Sequence, residues 1–90
     1  MPIVRNGDIK TIGRGTIAIE DAALSNTATI AAVNTAKTLL FHLGAITAIN
    51  HVAYSNIHLA LTNATTITAT RGATDGSADV TVSYQYVEYY

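Results

Sequence analysis

The sequence predicts an all-β fold, a β-sandwich or jelly-roll-like barrel of six to eight short antiparallel strands. Three observations carry that expectation. Apolar and polar residues alternate with a period of two over much of the 90-residue chain, the pattern of a strand with one face buried. Fourteen threonines, together with the isoleucines, valines and tyrosines, fit pleated, half-buried surfaces. Turn residues recur every 8–12 positions, the spacing expected of sandwiches and barrels.

Along the chain, residues 1–8 read as an N-terminal arm to a single β domain over 1–90, since a chain of this length has no room for two cores. IKTIGRGTIAI carries Ile9, Ile12, Ile17 and Ile19, interrupted by Gly13 and Gly15. Glycines inside a strand pattern predict a bulge or the close approach of another backbone. Strands are expected over Thr27–Ala32 and Thr38–Leu43, with the turn at 34–37. A helix competes for this region, because Ile30, Val33, Lys37, Leu40 and Phe41 come near to helical spacing. In NIHLALT, Ile57, Leu59 and Leu61 oppose His58, Ala60 and Thr62. In TTITAT, Ile67 and Ala69 oppose the threonines. The Thr62–Thr65 step between these strands suits a hairpin with Asn63 at positive φ. After a Gly-containing loop at 71–77, Val80, Val82, Tyr84 and Tyr86 form one face of DVTVSYQY.

Four of the five tyrosines fall in the last seven residues, VTVSYQYVEYY being the close of the sequence. Tyr84 and Tyr86 continue a buried face, but Val87 and Tyr89 make the opposite face apolar too. Either a bulge near Tyr86-Val87 switches the faces, or the second face meets something. Tyrosine suits interfaces, being apolar along its ring and polar at its tip. Tyr89 and Tyr90 are therefore expected to touch a neighbouring subunit; the edge of their own domain is the alternative. Val87, Tyr54 and Arg14 complete the interface candidates.

Composition points the same way. Only 12% of residues are charged and 49% are hydrophobic, against about 25% charged in an ordinary soluble domain. Small cores usually need a staple, and the chain has no cysteine. Association with further copies is the staple that remains, although a Thr/Ala-rich uncharged surface would give the same totals. Five scattered basic residues and a net charge of −1 do not form the basic face of a nucleic-acid binder. MPIVRNGDIK has no apolar core of a signal peptide. The apolar run TLLFHLGAITAI is about 12 residues long, where a spanning helix needs about 20. A soluble protein made in a cytoplasm, touching neither nucleic acid nor membrane, is expected.

Catalytic constellations are weak. His42, His51 and His58 lack a close ligand spacing. Glu20 and Asp21 are adjacent, so on a strand they point to opposite faces. Asp75 and Asp79 flank Gly76 and would suit either a calcium loop or a plain turn. Gly13-Arg14-Gly15 is followed by no helix signal and makes no phosphate cradle. Ser55 has no base at useful spacing, and Asn63-Ala64-Thr65 reads better as a turn than as a glycosylation site. No catalytic residue, metal or cofactor is implied.

IKTIGRGTIAI, TATIAAVNTAKTLLFHLGA, HLALTNATTITATR and VSYQYVEYY together resemble a group of short β-rich proteins from the structural gene clusters of tailed bacteriophages. The matching stretches are Gly13 to Ile19, Thr27 to Lys37, Leu59 to Arg71 and Val82 to Tyr89. Gly13 stands where the group has glutamine, and Gln85-Tyr86 replaces a more aliphatic pair. The resemblance implies a virion structural protein without enzymatic activity: a capsid decoration (cement) protein first, a neck or tail component second. It implies a homo-oligomer, a trimer by preference, that binds the major capsid protein or another virion protein. A carbohydrate- or receptor-binding module on a fibre is a further reading, for which Tyr54 and the 50–56 loop would supply the contact residues.

Overall fold

The structure is a computed structural model that describes residues 8–20, 23–47, 57–72 and 79–90. These form six strands in two antiparallel sheets: β1 (Ile9–Ile19), β2 (Ser25–Thr29), β3 (Thr38–Thr47), β4 (Ile57–Asn63), β5 (Thr66–Arg71) and β6 (Val80–Tyr89). The long sheet has the order β1-β6-β3 and the short sheet β2-β5-β4. The sheets face each other and remain separate. The fold is thus the expected all-β sandwich, and the barrel alternative is set aside. The helix reading of the middle region gives way to strand, apart from one 3₁₀ turn at Thr35–Lys37.

β-Branched residues on inward positions build the core. Ile17, Ile19, Val80 and Val82 from the long sheet meet Ile67 and Ala69 from the short one. Tyr84 and Tyr86 extend the buried face of β6, as the alternation predicts. Their rings stack with centroids 6.5 Å apart.

The glycines of β1 do not make a bulge. β1 pairs with β6 in unbroken register from Thr11 to Ile19, and the irregularity lies between Ile9 and Thr11. Gly13 faces Tyr86 and Gly15 faces Tyr84 across the ladder. A Cβ at either position would overlap the opposing tyrosine ring. The close approach that the glycines permit is therefore by side chain, not by backbone. A second irregularity, between His42 and Gly44 of β3, puts Gly44 at φ 139°, a conformation natural to glycine.

The chain changes sheet at every connection except the β4–β5 hairpin. The turn of that hairpin also departs from expectation. No non-glycine residue has positive φ among the described residues. Instead the Asn63 side chain accepts from the Thr65 backbone N–H at 2.9 Å, an Asx turn. β2 ends at Thr29 rather than Ala32, because residues 30–33 turn to bind the hairpin tip. Ile30 N–H donates to the Thr65 carbonyl at 2.8 Å and Val33 N–H to the Ala64 carbonyl at 2.9 Å. Val33 thereby joins the core cluster that contains both tyrosines.

Two buried charges secure two of these crossings. Arg71 of β5 is 2% exposed. Its Nε donates to the Ala23 carbonyl at 2.9 Å and its Nη2 to the Glu20 carbonyl at 2.8 Å, which fastens the β1–β2 connection. Glu88 of β6 is 3% exposed and accepts from the Asn34 backbone N–H at 2.7 Å, which fastens the β2–β3 connection. Lys10 Nζ lies 3.9 Å from the same carboxylate oxygen.

Two stability changes are expected. Gly→Ala at an open strand position stabilises by up to about 1 kcal/mol, but Gly13→Ala should destabilise by about 1–3 kcal/mol through overpacking. That penalty should shrink in a Tyr86→Leu background, a coupling readable by urea titration of the four variants. Arg71→Met should cost about 1–3 kcal/mol for each carbonyl it orphans. Arg71→Lys should recover only part of the loss, because one ammonium replaces a planar fork; the denaturation midpoints check both.

Candidate functional site

β6 is the middle strand of the long sheet, so its side chains alternate between the core and the outer face of that sheet. Val80, Val82, Tyr84, Tyr86 and Glu88 point inward. Thr81, Ser83, Gln85, Val87 and Tyr89 point outward. No bulge interrupts this near Tyr86-Val87, since both ladders run on through those residues. Of the two ways in which the apolar second face could be accommodated, the switch of faces is thereby excluded.

The register then fixes what surrounds each outward residue. Val87 lies between Ile12 of β1 and Leu39 of β3. Gln85 lies between Arg14 and Phe41, and Thr81 between Ala18 and Ile46. Beyond Val87, Tyr89 pairs with Ile9. Val87 is only 6% exposed and stands outside the main core cluster. Its flanking Ile12 and Leu39 shield it, and both of them are exposed. Phe41 and Ile9 are exposed as well, Leu43 stands exposed at the β3 bulge, and Ile46 reaches 79%. Of the large apolar residues exposed among the described residues, all but Leu24 and Tyr90 belong to this face or its bulge. A sheet face with one side packed on the core usually turns polar residues outward. This one turns out isoleucine, leucine and phenylalanine.

Charge is scarce on the same face. Arg14 is its only charged side chain among the described residues, and its Nε donates to Gln85 Oε1 at 3.1 Å. This bond ties the guanidinium to the neighbouring strand, beside the apolar residues.

Three of the interface candidates come together here. Arg14, Val87 and Tyr89 share the outer face. Tyr90 stands at its end, 66% exposed, with its backbone N–H donating to the Asp8 carbonyl at 3.2 Å. Tyr54 and the 50–56 loop lie outside the described residues, as do most of the N-terminal arm (1–7), Asp21, His51, Ser55 and Asp75. Ile12, Leu39, Phe41 and Ile46 were not singled out by sequence. Their outward placement depends on register with a strand more than 30 residues away.

The described residues offer little for chemistry. His58 is exposed on the solvent side of β4, opposite half-buried Ile57 and Leu59. His42 is exposed on β3. No group of three His, Asp or Glu gathers in metal-binding geometry among the described residues, and these residues enclose no cavity. No helix among them is long and apolar enough to cross a membrane. Every buried side-chain polar atom among them is hydrogen-bonded.

Burial pushes the Tyr84 phenol above its ordinary range, and the adjacent Tyr86 adds to the shift. The folded state therefore keeps this proton when the unfolded chain has begun to lose it. Stability from this group is complete below about pH 10, the unfolded value, and declines as pH rises through the higher folded one. The urea midpoint should fall above about pH 10, and Tyr84→Phe should flatten part of that fall.

No protein-family model, no curated protein and no solved structure matches the chain, so the outer face of the β1-β6-β3 sheet stands as its candidate functional site on geometry alone.

Proposed function

We propose that this chain is a structural subunit of a bacteriophage virion that decorates the capsid by binding between capsomers. The observation that carries the reading is the outer face of the long sheet, which exposes Ile12, Leu39, Phe41 and Ile46 among uncharged polar residues, carries little charge and is accompanied by no catalytic constellation among the described residues. Large apolar side chains gathered in the open on one face of a small domain mark a surface made for contact. The resemblance of the Gly13–Ile19, Thr27–Lys37, Leu59–Arg71 and Val82–Tyr89 stretches to phage structural proteins directs the assembly that this contact builds to a shell.

The mechanism is additive burial. A decoration subunit resists internal pressure by covering the seams between capsomers. Each seam then opens only at the cost of re-exposing the apolar area buried there, at about 25 cal/mol per Å². Many copies acting together give avidity without requiring that any single contact be large. The sandwich suits this load, because Arg71 and Glu88 fasten crossings between its two sheets.

The same face would equally serve a neck or tail subunit. The experiment that separates these readings is antibody labelling of particles from a bacterium that produces the chain. Label spread over the head supports decoration; label confined to the neck or tail selects the second reading. Absence of the chain from purified particles overturns both. Retention on particles should change little between about 0.1 and about 1 M salt, although the screening length falls from about 10 to about 3 Å. Release by salt would show contacts made chiefly by charge.

A further inference from the structure

We infer that the outer face of the long sheet is a two-fold interface with a second copy of this chain, its axis lying along β6. This rests on the assembly reading only for the premise that the chain self-associates.

Size is the first argument. Three strands about 4.8 Å apart and ten residues long at about 3.3 Å each give a footprint of nearly 500 Å². Two such faces bury about 1,000 Å² together, the threshold for a specific interface when complementarity is good. No other described surface gathers as many exposed large apolar residues: of the remaining two, Leu24 lies elsewhere and Tyr90 stands at the end of this face.

Charge is the second. A strongly charged partner would find a single counter-charge here, Arg14, already engaged by Gln85. A second copy brings the same near-neutral surface, and the rows decide how it docks. With the two-fold axis parallel to β6, β6 packs on its own copy and β1 lies over the partner's β3. Residues of one cross-strand row then meet their own row: Ile12 over Leu39, Arg14 over Phe41, Ala18 over Ile46. Ile12 and Ala18 thus meet apolar residues, the lone cation meets an aromatic face, a favourable pairing for a guanidinium, and Gln85, Ser83 and Thr81 of β6 meet their own copies at the axis. An axis running across the strands at the level of Gln85 would stack Arg14 on Arg14 instead. Sheets packed face to face keep their strands within about 30° of alignment, which the axis along β6 satisfies.

Light scattering coupled to size exclusion tests this. The wild-type chain should run at twice its 9.5 kDa mass. Phe41→Lys should raise the dissociation constant about thirtyfold or more, because it removes a central contact and sets a second cation against the partner's guanidinium at Arg14, with the β-sheet circular dichroism unchanged. Ile46→Lys, at a position 79% exposed in the single chain, should weaken the dimer too, and stands in if Phe41→Lys fails to fold. Arg14→Glu should also weaken it, and the double variant Arg14→Glu/Phe41→Lys should restore it, because the two new charges meet only across the interface. Weakening without rescue overturns the axis. A trimer, or an oligomer indifferent to all these substitutions, overturns the interface. A wild-type monomer at about 100 µM, far above the micromolar dissociation constants of ordinary weak complexes, also overturns it, yet leaves the decoration reading to the particle-labelling experiment.

Discussion

The sandwich depends on two tyrosine rings lying across two glycines. Tyr84 and Tyr86 occupy inward positions on the central strand of the long sheet, where the short sheet has little left to cover them with. Strands of five to seven residues cannot span a sheet whose strands run to ten or eleven. The rings extend over Gly15 and Gly13, which lend the volume of two missing side chains. This resembles the device by which aromatic neighbours compensate glycine in sheets, restoring the contacts that a bare backbone forgoes. A side chain at either glycine would force the rings upward and open the core at the end that holds Glu88 and the 30–34 segment.

From that packing follows the division of labour on β6. With the tyrosines committed inward, Val87 and Tyr89 have to face out. They cannot pair with the core, because alternation is fixed by register on both sides of a central strand. The outer face is therefore apolar for a reason separate from stability of the single chain. Its residues contribute little to the core cluster, and a soluble monomer would gain by replacing them with threonine or lysine.

Much of this was legible in the sequence wherever one face is buried and the other polar. NIHLALT, TTITAT and VTVSYQY declare their strands by alternation, and the Asn34–Lys37 turn by its Asn. Legibility fails where a structural cause is distant. Gly13-Arg14-Gly15 looks like a bulge locally, and only the tyrosines some 70 residues on explain it. Residues 30–33 keep a strand-like composition, yet turn away to bind the hairpin tip. TLLFHLGAITAI is apolar at nearly every position, so period two cannot say which residues face out. Arg71 reads as the first residue of a polar loop, although its head is buried against two carbonyls. For the candidate site, Arg14, Val87 and Tyr89 could be named in advance. Ile12, Leu39, Phe41 and Ile46 could be added only once the pairing of β1 and β3 with β6 was known.

That pairing has a consequence for how the protein is made. β1 and β3 never touch as neighbours in the long sheet; β6 separates them. Until residues 80–89 have been synthesised, β1 and β3 expose two unpaired edges each, and the isoleucines and leucines between them have no floor. Only the β4–β5 hairpin is local enough to close early. A topology so dominated by distant partners folds slowly, and its waiting strands offer sticky edges to other nascent chains. Producing cells that make the chain in quantity would therefore meet their chief hazard on the ribosome, before β6 slides into place, and holdase chaperones or slow translation would raise the yield of folded chain more than any change to the finished core.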